Sequence, residues 1–78
     1  MLKKVKKLRF NIYISYDEYE KYYQGIARNV RVRTDNGQTI VFPANRLQPF
    51  LTHDGIKGHF EIIFDEDNKF VQLKQISN

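Results

Sequence analysis

Leu8, Phe10, Ile12 and Ile14 share one parity of the chain, and Arg9, Asn11 and Tyr13 share the other. The alternation returns further on, with Val30 and Val32 set against Arg31 and Arg33. Successive side chains of a strand leave opposite faces. Each segment therefore reads as a strand that buries one side and shows cations and an aromatic ring on the other. A chain patterned this way must build a sheet around a one-sided core. The pattern names no reaction and no partner.

At 78 residues the chain reads as one domain spanning 1–78, with residues 1–5 as a flexible basic arm. A chain this short buries only about 60–65% of its unfolded surface, so its core is thin. Small folds often add a disulfide, a metal or a second copy. The sequence contains no cysteine, which excludes the first and fits a reducing cytosol. Met1-Leu2-Lys3-Lys4-Val5-Lys6-Lys7 has the charge of a signal-peptide start, but Arg9 and Asn11 break the apolar stretch that should follow. No segment approaches the roughly 20 apolar residues that span a bilayer. The expectation is a soluble cytoplasmic protein without membrane contact. Its net charge is +4, and ten of its thirteen Lys and Arg residues precede Leu47. Such asymmetry suits an anionic partner, and it also serves plain solubility.

The first strand is expected from Lys6 or Lys7 to Ile14. Ser15-Tyr16-Asp17-Glu18 has capping-box spacing, and a short helix over Tyr16–Gln24 should end at Gly25. Tyr16, Tyr19 and Tyr23 follow i, i+3, i+7 spacing and predict an aromatic face, with Tyr22 off that line and more exposed. A second strand over Arg28–Thr34 and a third over Gln38–Phe42 flank the hairpin signal Asp35-Asn36-Gly37. Pro43 stops the third strand. Pro49 restricts Ala44–Leu51 to a helical turn anchored by Leu47, Phe50 and Leu51. A fourth strand is expected over Gly58–Asp65, and a last over Phe70–Ile76. A bulge near Lys74 would bring Ile76 onto the face of Val71 and Leu73. The predicted class is α+β: a small, curved, mostly antiparallel five-stranded sheet, able to roll into a partly open barrel, with one short helix after the first strand and a helical turn before the fourth.

Few reaction chemistries find their residues here. Ser15 is explained as a helix cap, and no base with a recognisable motif accompanies Thr34, Thr39 or Thr52. His53, Asp54 and His59 could hold a divalent ion only if a loop and a strand converged by accident. Asp65-Glu66-Asp67-Asn68 looks like the start of a calcium loop, but Phe70 and Ile76 stand where that loop needs Gly and Glu. Gly55-Ile56-Lys57-Gly58 lacks the following helix that presents free amides to phosphate, and its glycines suit close packing or a tight turn. No metal site or cofactor is expected, and an enzyme is left only as a residual alternative.

Binding chemistry fares better, and two classes compete. The favoured expectation is a non-catalytic binding or assembly module acting through protein contacts, with another protein or a second copy as partner. Its candidate surface is Tyr19, Tyr22, Tyr23 and Arg46, residue types enriched at interface centres. The alternative is single-stranded nucleic acid. There Arg9, Arg31, Arg33 and the arm Lys3, Lys4, Lys6 and Lys7 would meet phosphates, and Tyr13 would stack on a base. Both sets also have structural roles, as core aromatics and as solvent-face strand residues that guard an edge.

The runs Tyr22-Tyr23-Gln24-Gly25-Ile26-Ala27, Phe42-Pro43-Ala44, Leu47-Gln48-Pro49-Phe50-Leu51-Thr52 and Gly55-Ile56-Lys57-Gly58-His59-Phe60 resemble a family of short, single-domain bacterial proteins known only as a domain of unknown function. The likeness spans most of the chain, from first strand to last. It implies a stand-alone bacterial protein with no established activity and carries over no catalytic or ligand residue.

Overall fold

Alternation and turn chemistry place the elements of the computed structural model, which describes residues 4–77. Strand β1 (Lys6–Ile14) leads into helix α1 (Tyr16–Tyr23), followed by β2 (Asn29–Arg33) and β3 (Thr39–Pro43). A 3-10 helix (Ala44–Phe50) then leads to β4 (Ile56–Phe64) and β5 (Phe70–Ser77). The expected α+β class holds. Its five strands divide between two antiparallel sheets, one ordered β1-β4-β5 and one pairing β2 with β3, and they do not close into a barrel.

Helix α1 begins as the capping box dictates: Ser15 is extended, and its Oγ accepts from the Glu18 amide at 3.2 Å. Gly25 ends it at φ +81, where the amide of Ile26 reaches back to the Lys21 carbonyl. The two hairpin turns are twins. Thr34 and Gln38 bracket one three-residue loop and Asp65 and Lys69 the other, each closed by a backbone hydrogen bond of 2.7 and 2.9 Å. Gly37 and Asn68 hold corresponding positions, both with positive φ, as a type I turn followed by a left-handed residue requires.

The inner faces of the two sheets share one core. Phe10 lies at its centre, with ring centroids 5.8 Å from both Phe42 of the small sheet and Phe60 of the large one. Phe50 meets Phe60 edge-on at 5.2 Å. Leu47, Ile56 and Ile62 complete the fully buried set. The tip of the β2–β3 hairpin is fastened to the free edge of β1, where the Asp35 amide donates to the Arg9 carbonyl at 2.7 Å. Gly55 is pressed against the junction of β1 and α1. A Cβ there would meet the Ile14 carbonyl and lie 2.8 Å from both Ser15 C and Tyr16 N, so close packing is the role of this glycine.

Two local expectations need correction. Strand β5 carries two bulges, at Val71 and Ile76, rather than one near Lys74. Both bulged residues are exposed; the extra residue at Val71 lets Phe70 and Leu73 take the core side alike, and the one at Ile76 sets Gln75 opposite Phe60 and Ser77 opposite His59. Along α1, only Tyr19 is buried and Tyr22 is half-buried, their rings 5.9 Å apart, while Tyr16 and Tyr23 are exposed. The i, i+3 pair turns inward and the i+7 residue does not.

Candidate functional site

With α1, the 3-10 helix and the β2–β3 hairpin contributing to one core with Phe10, Phe60 and Ile62, the outer face of the three-stranded sheet is left to its own side chains. Alternation puts Lys7, Arg9, Asn11 and Tyr13 of β1 on that face. By register, β4 adds Lys57, His59, Glu61 and Ile63, and β5 adds Gln72 and Lys74. Lys7, Arg9, Lys57 and Lys74 set against the one carboxylate of Glu61 give this sheet face a net charge of +3.

Glu61 organises the middle of the face. Its side chain is only 5% exposed although it points away from the core. Register sets Arg9 on one side and Lys74 on the other. Arg9 Nε donates to Oε2 at 3.0 Å, and Lys74 Nζ lies 3.3 Å from Oε1. The Arg9 hydrogen bond, helped by that from Lys74 and by both positive charges, holds the Glu61 carboxyl below its ordinary value in spite of burial. Both cations stay more than half exposed. A partly buried carboxylate thus pins two cations whose remaining donors face solvent.

The predicted nucleic-acid residues are partly brought together. Lys7, Arg9 and Tyr13 share the outer face, with Tyr13 64% exposed. Lys6 has the opposite parity and donates to Asn68 Oδ1 at 3.2 Å. Lys4 is exposed ahead of β1, and Lys3 lies outside the described residues. Arg31 and Arg33 belong to the other sheet, opposite Val41 and Thr39. One sheet face therefore does not carry all the predicted arginines, because β2 pairs with β3 instead of joining β1 through a ladder. Arg33 still comes close in sequence to the rim, two residues before Asp35. Beyond its amide bond to Arg9, Asp35 has Oδ2 hydrogen-bonded to His59 Nε2 at 2.8 Å.

As members of this face, Lys57, His59, Glu61 and Lys74 went unrecognised in the sequence. The parity of β4 hinted at the first three, but only the register reveals their neighbours. At one end of the face, Tyr13, Asp54 and Lys57 line an open hollow of about 330 Å³. The two histidines do not meet: His53 lies 3.7 Å from Asp54 Oδ2 at an exposed turn, and His59 pairs with Asp35. Among the described residues, no three His, Asp or Glu side chains gather where they could hold a metal ion.

The predicted protein-contact surface is dispersed. Tyr19 is 3% exposed and donates its hydroxyl to the Ala44 carbonyl at 3.0 Å, and burial pushes its phenol above the ordinary value. It is a core residue that ties α1 to the 3-10 helix. Arg46 lies over the Phe70 ring, its Cζ 4.5 Å from the centroid, and is absent from the tyrosine groove. Tyr22 and Tyr23 remain, lining a groove of about 520 Å³ with Arg28, Pro43, Asn45 and Gln48.

Among the described residues, no helix is long and apolar enough to cross a membrane. Comparison with known proteins adds a family match: the family described as "Protein of unknown function (DUF2835)" aligns with residues 6–76. No curated protein and no solved structure matches the chain. That alignment begins with the first residue of β1 and stops one short of the end of β5, so the chain belongs to the DUF2835 family of proteins of unknown function.

Proposed function

We propose that the protein is a non-catalytic module that binds single-stranded nucleic acid on the outer face of its three-stranded sheet. The supporting observation is the uncovered row Arg9–Glu61–Lys74, with Lys7 and Lys57 on either side along the strands and Tyr13 at one end. Single strands are held by a cationic surface that tracks phosphates and by aromatic rings beneath bases. Rows of outward side chains follow one another every two residues, about 6.7 Å along a strand, and an extended nucleic acid can follow such a ladder. A bacterial cytoplasm suits a cysteine-free chain with such a ligand.

The test is fluorescence anisotropy with mixed-sequence single-stranded RNA and DNA across a range of salt. Three phosphate contacts, from Lys7, Arg9 and Lys74, predict a slope of log affinity against log salt near −2, from about −0.7 per contact. The variant Lys7→Gln should flatten the slope to about −1.4 without changing the melting temperature much. Arg31→Ser/Arg33→Ser should retain most of the affinity. A steep loss in the second variant and none in the first would place the ligand elsewhere.

A second function class, docking of another protein, is favoured by one feature of the tyrosine groove. Arg28 lines it, and among the described residues no carboxylate does. A partner segment carrying a carboxylate and apolar side chains fits that chemistry. Its binding would depend on Tyr23 and Arg28 and would resist salt far better than a polyanion does.

A further inference from the structure

The hollow at the end of the basic face holds a residue that phosphate binding does not explain. Asp54 is an acceptor-only side chain placed beside an exposed tyrosine on a cationic surface. Toward a phosphate it is repulsive. Toward a base edge rich in donors it is complementary.

From this we infer that Tyr13, Asp54 and Lys57 form a base-recognition site that prefers guanine, an inference that rests on the sheet face binding single strands. Tyr13 and Lys57 are directly opposed across β1 and β4 and leave the same face, and both line the hollow with Asp54. Asp54 is presented by a braced turn. Thr52 and Gly55 exchange two backbone hydrogen bonds of 2.9 Å, and Thr52 Oγ1 accepts from the Asp54 amide at 3.2 Å and donates to the Gly55 carbonyl at 3.0 Å. Gly55 in turn is wedged against Ile14 and Ser15. The Asp54 carboxylate itself is 85% exposed, with His53 Nε2 at 3.7 Å as its near neighbour.

A base stacked on Tyr13 would find the Asp54 acceptor and the Lys57 donor within the same hollow. Guanine alone offers adjacent N1–H and N2–H donors to a carboxylate together with the O6 and N7 acceptors that an ammonium recognises. Uracil offers one ring N–H between two carbonyl oxygens. Adenine flanks its amino group with the acceptors N1 and N7, and cytosine gives a carboxylate its N4 amino group alone, without a second adjacent N–H. Asp54 and Lys57 also border a second hollow, lined by Phe50, Thr52 and Gln75, which leaves room for a neighbouring nucleotide.

The experiment measures anisotropy of short uridine oligomers carrying one central G, inosine, A, C or U, with the full chain and with Asp54→Asn. The single G should tighten binding about 5-fold or more over U. Inosine, which lacks the N2 amino group, should lose most of that gain. Asp54→Asn should erase the preference while leaving the all-uridine oligomer bound equally well or better, since a repelling charge is gone. Equal binding of all oligomers with a steep salt slope would overturn the guanine site and leave the sheet face standing. A preference that survives Asp54→Asn would also overturn it. No binding of any oligomer would overturn the sheet face and this site together.

Discussion

Replacing Tyr19 by Phe takes a single oxygen from the middle of the fold. The ring is 3% exposed and its hydroxyl donates to the Ala44 carbonyl at 3.0 Å. Phenylalanine keeps the ring against Tyr22, so no cavity opens and the loss is that of one buried hydrogen bond. Such a bond contributes about 1 kcal/mol net. In a domain of this size that lowers Tm by about 4–8 °C. Thermal melts followed by circular dichroism at neutral pH should show it, with Tyr23→Phe as the control. Tyr23 is 72% exposed and should change stability by less than about 0.5 kcal/mol. An alkaline arm sharpens the test. Burial raises the Tyr19 phenol above its ordinary value of 10.0, so the folded state holds this proton more tightly than the unfolded state does. The associated stability is complete below pH 10 and is lost as pH climbs through the raised value. Wild type should therefore lose more stability than Tyr19→Phe above pH 10. A variant that melts with wild type at neutral pH would refute the idea that this oxygen joins helix and turn. A loss above about 3 kcal/mol, the scale of a core truncation, would refute the single-bond accounting.

Gly55→Ala should destabilise well beyond Gly37→Ala, although both glycines have positive φ. Open space surrounds Gly37 and only backbone strain of about 1–2 kcal/mol applies there, so the difference in urea midpoints isolates the close approach to Ile14 and Ser15. Glu61→Gln should alter the acid limb of stability. The lowered carboxyl value means that the ion-pair contribution is complete above about pH 4.5 and vanishes as pH falls through the folded value. Wild-type melts should therefore lose a component in acid that the variant lacks, and parallel curves would contradict it. Phe10→Ala should cost about 3–5 kcal/mol out of a total of roughly 4–12 kcal/mol, read as a fallen urea midpoint. A cost below about 1 kcal/mol would mean that Phe10 is not central.

Local rules made much of the fold legible. Parity located β1, β2 and β4, Ser15 and Glu18 announced the start of α1, and Asp35-Asn36-Gly37 announced a hairpin. What escaped was decided by partners far away in sequence. Arg9 and Arg31 sit in equivalent alternating patterns, and nothing local says that β1 pairs with β4 while β2 pairs with β3. Glu61 looks like an ordinary solvent-face acid until register sets Arg9 and Lys74 beside it. Tyr19 and Tyr23 share one helical line, but an eight-residue helix turns only a narrow part of its surface inward. The imperfect parity of β5 did signal irregularity, yet it could not reveal that two bulges rather than one were present.

The pairing of β1 with β4 sets the order of events when the chain is made. Ile14 meets Ile56 and Lys6 meets Phe64, so at least 42 residues separate the partners. At about 5–20 residues per second, β1 waits on the order of 2–8 s for its neighbour to be synthesised. The β2–β3 hairpin and α1 need only nearby residues and can form during that interval. Through the same interval Leu8, Phe10, Ile12 and Ile14 stand unpaired, a stretch with the apolar, β-prone character of an aggregation site. Lys6, Lys7 and Arg9 are interleaved with it or lie directly ahead of it, and in the nascent chain their mutual repulsion keeps one copy of this strand from adding to another.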